Sequence, residues 1–211
     1  MAKQTSQSVQ DRALAIAVET LKDWRRGGRP DVRPHTTASD RGDTVTICEN
    51  LVLSLFRQRA RIDWILESMC DVNRIRADVL SVLRVGVCQI AWMSGLKPEL
   101  VTDTCVRYVG RRFRRREAGF VNAILRRLVR EGAQKRVAEA AGKGPPHVRL
   151  SLSPRLFAQW QRHVSEETMT RRARLIQIPA PLVVRPRPSF QGDPLDVPGN
   201  LRPAAPVKAL P

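Results

Sequence analysis

The chain has 211 residues, enough for one full hydrophobic core with a small annex, and its 37 lysines and arginines against 20 acids give a formal charge of +17. That charge points to a polyanionic partner, and the predominance of arginine favours nucleic acid over a membrane surface. No apolar run approaches the ~20 residues of a membrane span, residues 1–10 lack the apolar stretch of a signal peptide, and 5% aromatic content argues against the base-stacking sheets of RRM and OB folds.

Apolar residues recur at helical spacing along most of the chain. Val9, Ala13, Ile16, Ala17, Thr20, Leu21 and Trp24 trace one stripe, with Arg12, Asp23 and Arg26 off it. Gly27-Gly28 stops this helix, and the Pro-, Asp- and Gly-rich stretch to Asp43 predicts a long exposed loop. A second helix is predicted over 44–58, with Val45, Cys48, Leu51, Val52 and Leu55 inward. A short third begins at Asp63, which reads as a cap or salt-bridge partner. The fourth, over 77–93, carries the widest apolar face (Leu80, Leu83, Val87, Ile90, Ala91) and is therefore expected at the centre. Gly95 ends it, and Pro98 is placed to open the next helix, whose core face is Leu100, Val101, Cys105, Tyr108 and Val109. A cationic loop, Arg111-Arg112-Phe113-Arg114-Arg115-Arg116, then leads into a helix over 120–130, terminated by Gly132.

Beyond Gly132 the character changes. Residues 142–146 (Gly-Lys-Gly-Pro-Pro) mark a boundary, and 154–174 predict two short helices with Leu156, Phe157, Trp160 and Val164 on one side. Pro179, Pro181, Pro186 and Pro188 exclude a further helix, leaving Leu182-Val183-Val184 as a strand. Residues 191–211 have the composition of a disordered tail.

The chemistry concentrates at the arginines. Asn122, Arg126 and Arg130 recur every fourth residue and share a helix face next to the cationic loop. Guanidinium groups on a rigid surface suit bidentate contacts to phosphate, and so many like charges in one place favour an anionic partner. The set expected to meet a nucleic acid is accordingly Arg111, Arg112, Arg114, Arg115, Arg116, Asn122, Arg126 and Arg130. Polar residues with a structural reading are Arg84, as a snorkelling or capping arginine, and Gln89 and also Asn122, as buried amides bonded to loop carbonyls. Trp64, Trp92 and Trp160 read as core. Cys48, Cys70, Cys88 and Cys105 are scattered and unpaired in spacing, and His35, His147 and His163 are isolated, so neither zinc nor a disulfide framework is expected. Such cysteines fit buried small groups in a reducing cytosol.

Leu83-Arg84-Val85-Gly86-Val87-Cys88-Gln89-Ile90 resembles the "LRLGxYQL" segment of NusB-like domains, and Phe120-Val121-Asn122-Ala123-Ile124-Leu125-Arg126-Arg127-Leu128 resembles their "xVNAVLRRL". Leu51-Val52-Leu53-Ser54-Leu55-Phe56-Arg57, followed by Ile62-Asp63-Trp64-Ile65, is similar to their "LVYGTLR…LDWLI". The resemblance covers about 11–131, in order. The closer branch resembles the N-terminal part of RsmB-type rRNA cytosine-5 methyltransferases. Pro154-Arg155-Leu156-Phe157 with Trp160, and Pro179-Ala180-Pro181-Leu182-Val183-Val184-Arg185, are similar to the segment after the NusB-like domain in those enzymes. Two departures stand out: Arg185-Pro186 replaces Arg-Val-Asn, and Asp103-Thr104 replaces Asn-Glu.

The resemblance implies an all-α, NusB-like helical bundle over 1–142, an α-rich annex over 143–190 and a flexible tail over 191–211. It implies a cytoplasmic, non-catalytic protein that binds ribosomal RNA. No glycine-rich S-adenosylmethionine loop and no Pro-Cys pair occurs, so neither a cofactor nor catalytic residues are expected. Two other readings stay open: a NusB-like transcription antitermination factor working with a small ribosomal protein, and a truncated or split methyltransferase subunit needing a separate catalytic chain.

Overall fold

A computed structural model describes residues 2–38, 40 and 42–178, and among these the chain is helical with no strand. The first helix, α1 (Ala2–Arg25), buries Ala13, Leu14, Ile16, Ala17, Val18 and Leu21. Trp24, expected on the inner stripe, instead lies at the rim, edge-on to Phe56 at 5.0 Å. The helix stops as its sequence predicts. Gly27 takes φ +91°, its N–H donates to Trp24 O (3.0 Å), and the Gly28 N–H donates to Asp23 O (2.9 Å), closing two leftover carbonyls.

The loop after α1 is fastened rather than loose. Val32 is buried, and Arg12 forks onto both carboxylate oxygens of Asp40 (2.8 and 2.7 Å) while also donating to His35 O (2.9 Å). The Arg12 guanidinium holds the Asp40 carboxyl well below the usual carboxylate range.

The second and third predicted helices are one. The continuous α2 (Gly42–Glu67) runs through Arg59-Ala60-Arg61, because arginine, alanine and glutamine are strong helix formers and no Gly or Pro interrupts them. Asp63 is therefore not a cap. It sits mid-helix as an ion-pair hub, accepting from Arg59 Nε (2.7 Å) one turn back and from Arg84 Nε (2.6 Å) on the next long helix. Arg84 is thus a paired, largely buried cation rather than a capping one, and burial is the main cause lowering its pKa. Asp63→Asn keeps the shape and removes the charge, so chemical denaturation should show a loss of about 2 kcal/mol. An unchanged midpoint would mean that solvent already satisfies Arg84.

The α3 helix (Ala77–Trp92) is central as predicted, packing on α1, α2, α4 (Pro98–Arg112), α5 (Arg115–Glu131) and α6 (Ala133–Lys143). Val79, Val82, Leu83, Val85, Val87 and Cys88 are buried along it, while Leu80 and Ile90 are half-buried. Gln89 is buried, but its Nε2 donates to the side-chain oxygen of Gln10 on α1 (3.2 Å) rather than to a loop carbonyl. At Gly86 a Cβ would stand 3.0 Å from Leu125 and 3.1 Å from Cys105 Sγ, so the missing side chain lets α3 seat against α4 and α5.

Gly132 ends α5 at φ +86°, yet the chain re-enters helix at once as α6, which sequence reasoning missed. A short α7 (Pro146–Arg149) comes next, then α8 (Pro154–Gln161) and α9 (Glu166–Gln177), the two helices expected in the annex. Leu152, Met169 and Ala173 form a second small core, against which Leu156, Phe157, Trp160 and Val164 pack. Residues 1–177 form one compact unit. The predicted strand at 182–184 and the tail at 191–211 lie outside the described residues.

Candidate functional site

The expected arginine loop is almost no loop. Arg111 and Arg112 end α4, Arg115 and Arg116 begin α5, and only Phe113 and Arg114 lie between, both extended. Two extended residues reverse the chain so that α4 and α5 pack together. The five arginines are therefore carried on or beside rigid helix ends.

Each of the five is exposed, and none makes an ion pair among the described residues. Placing Arg111 and Arg112 at a helix C-terminus is favourable, because cations there meet the negative end of the dipole. Arg115 and Arg116 are the reverse case: two cations at a positive helix end, each opposed by roughly 0.3–1 kcal/mol. Glu117 offsets part of this, its Oε2 accepting from the Arg114 N–H (2.9 Å). The first amides of α5 have no intrahelical acceptor, so they and the guanidiniums together form a donor-rich surface for an anion. A local folding preference is broken here in the direction that binding requires.

The α5 helix turns its apolar side (Ala118, Val121, Ile124, Leu125, Leu128) into the core. Its outer face carries Arg115, Gly119, Asn122, Arg126 and Arg130 at helical spacing. Arg126 and Arg130 are exposed and Asn122 is half-buried. A Cβ on Gly119 would meet nothing within 4 Å, so the backbone is bare in the middle of this face. Arg116 points about 100° round the helix from Arg115 and stands apart from the stripe. Arg127, lying between the stripe residues in sequence, is committed to Glu131 Oε1 (2.7 Å) and Met69 O (3.3 Å).

Two ring contacts at the site were not read from the sequence. Arg76, at the start of α3, sits over the Phe113 ring at 4.8 Å and adds a cation to the turn. Arg112 lies over the Tyr108 ring at 4.0 Å. Only the oddity of an aromatic residue inside an arginine run hinted at the first contact, and the (i, i+4) spacing of Tyr108 and Arg112 at the second.

The other candidate groups stay structural. The four cysteines are free thiols, and burial pushes Cys48 up to about 11 and both Cys88 and Cys105 up to about 12, far from a reactive thiolate. His35 meets Asp23 Oδ2 at 3.1 Å, and no group of metal-binding side chains occurs among the described residues. Trp64, Trp92 and Trp160 pack against core clusters. A cavity of about 680 Å³ between α2 and the annex is lined by Phe157, Val164, Met169 and Ala173 with Arg61, whose two terminal nitrogens already donate to Gln58 Oε1 and Arg149 O. No helix among the described residues is long and apolar enough to cross a membrane.

A family model described as the NusB family matches residues 11–130. No curated protein and no solved structure matches the chain.

Proposed function

The chain belongs to the NusB family, and from that premise we propose that it binds RNA, most specifically ribosomal RNA, through the α4–α5 junction and the outer face of α5. The observation that carries this reading is the set of exposed arginines without ion pairs on two abutting helix ends, two of them placed against the helix dipole. Arg111, Arg114 and Arg115 are the phosphate contacts with Arg112 beside them, Arg126 and Arg130 extend the track along α5, and Asn122 offers an amide between them. Arg116 serves an adjoining strand segment or a second phosphate.

The protein is non-catalytic in this reading. Its buried, high-pKa thiols support that, since attack on a base needs a thiolate held beside it. The annex supports descent from the RsmB-type methyltransferases over a free-standing antitermination factor, because α6 to α9 extend past the matched region and share the compact unit. A separate catalytic chain would then be the partner.

Titrating a fluorescent single-stranded rRNA fragment at several salt concentrations tests this. The logarithm of the binding constant should fall linearly with that of salt, by about 0.7 for each phosphate neutralised. Calorimetry with S-adenosylmethionine alone should give no saturable heat. Failure to bind RNA at low salt would overturn the first claim, and saturable heat from the cofactor the second.

A further inference from the structure

We propose that the groove between α1 and α4 holds one unpaired base of a single-stranded RNA, stacked on the outer face of the Arg112 guanidinium. The inference rests on the RNA-binding reading above and adds the position of a base to a track of phosphates.

Tyr108 supplies a fixed floor: the residue is 7% exposed, packed into the core beside its neighbours on α4. The Arg112 guanidinium lies over that ring at 4.0 Å, and no carboxylate pairs with it among the described residues. The central carbon of the cation stands 4.0 Å above the ring and the residue is exposed, so its outer side is open to solvent. Bases stack on guanidinium planes as they do on aromatic rings, and the contact with Tyr108 restrains this one. It serves where the chain's sparse aromatic residues cannot.

The space above it fits. A groove of about 320 Å³, bounded by Asp11 and Ala15 on α1 and by Thr104, Arg107 and Arg111 on α4, opens at Arg112. That is room for about ten waters at ~30 Å³ each, the bulk of a base with its ribose. Asp11 decides what enters. Its Oδ1 accepts from Arg107 (2.7 Å), yet the side chain keeps 34% exposure, so the carboxylate has acceptor capacity left for an exocyclic amino group. The phosphates flanking that base reach Arg111 at the groove's edge and Arg115 at the start of α5, and the base turns inward.

The test separates plane from charge. Arg112→Lys keeps the cation and removes the plane. On a fluorescent oligoadenylate, affinity should fall about tenfold or more while the salt slope is unchanged. On a strand of equal length whose riboses carry no bases, the substitution should have no effect. No loss on oligoadenylate, or an equal loss on both strands, overturns the stacking alone. Wild-type protein that binds neither strand overturns the stacking and the RNA-binding reading together.

Discussion

Charge reversal at Arg114 and Arg115 together is expected to weaken RNA binding by roughly 10–100-fold near 0.1 M salt and to flatten the salt slope by about 1.4, the value for two phosphate contacts on a single strand. The fold should not suffer. Both residues are exposed, and acids at the start of α5 are better matched to the helix dipole than the arginines they replace. The double variant should therefore melt no lower than the wild type while binding worse, a pairing that general destabilisation cannot imitate. The control pair needs care. Arg25 donates to Asp78 at 2.6 Å, so reversing Arg25 and Arg26 would break an ion pair as well as change charge. Arg171 and Arg172 are cleaner, exposed on α9, which packs on α2 and α8. Equal losses from both double variants would mean that binding is diffuse attraction to a protein of charge +17.

The second large effect lies in the core. Leu83 is fully buried at the middle of α3, the helix on which five others converge. Leu83→Ala should lower the unfolding free energy by about 2–5 kcal/mol, the transfer loss plus a cavity that five packed helices cannot close. Urea denaturation reads this directly, and the slope should hold constant while the midpoint falls. A midpoint within error of the wild type would remove α3 from the centre of the bundle.

Most of this bundle is legible because buried helix faces write a 3.6-residue period into the chain. The central place of α3 follows from the breadth of its apolar face, and the start of α4 from Pro98. The departures share a cause. A polar interval reads as a break at 59–63, where the residues are good helix formers, and a glycine reads as the close of the bundle at 132, where it only redirects the chain. The arginine run reads as a loop because its density of charge hides how little chain a helix reversal needs. At the site, the identity of the arginines is readable, but their company is not. Arg76 reaches Phe113 from the start of α3, and Asp11 reaches the groove beside Arg112 from α1. Local periodicity holds no record of such meetings.

The unbroken α2 has a consequence for how the chain is made. Three polar links tie the part of α2 around Arg57–Arg61 to the annex: Arg61 donates to Arg149 O (2.6 Å), Ser151 Oγ to Arg57 O (2.7 Å) and Gln58 Nε2 to Gln177 Oε1 (2.8 Å). Their sequence separations are 88, 94 and 119 residues. At a ribosomal pace of ~5–20 residues per second, Arg61 waits about 4–18 s for its acceptor to be synthesised. Through that interval one side of a finished helix stays hydrated. The core around α3 can close first, and the annex docks after it.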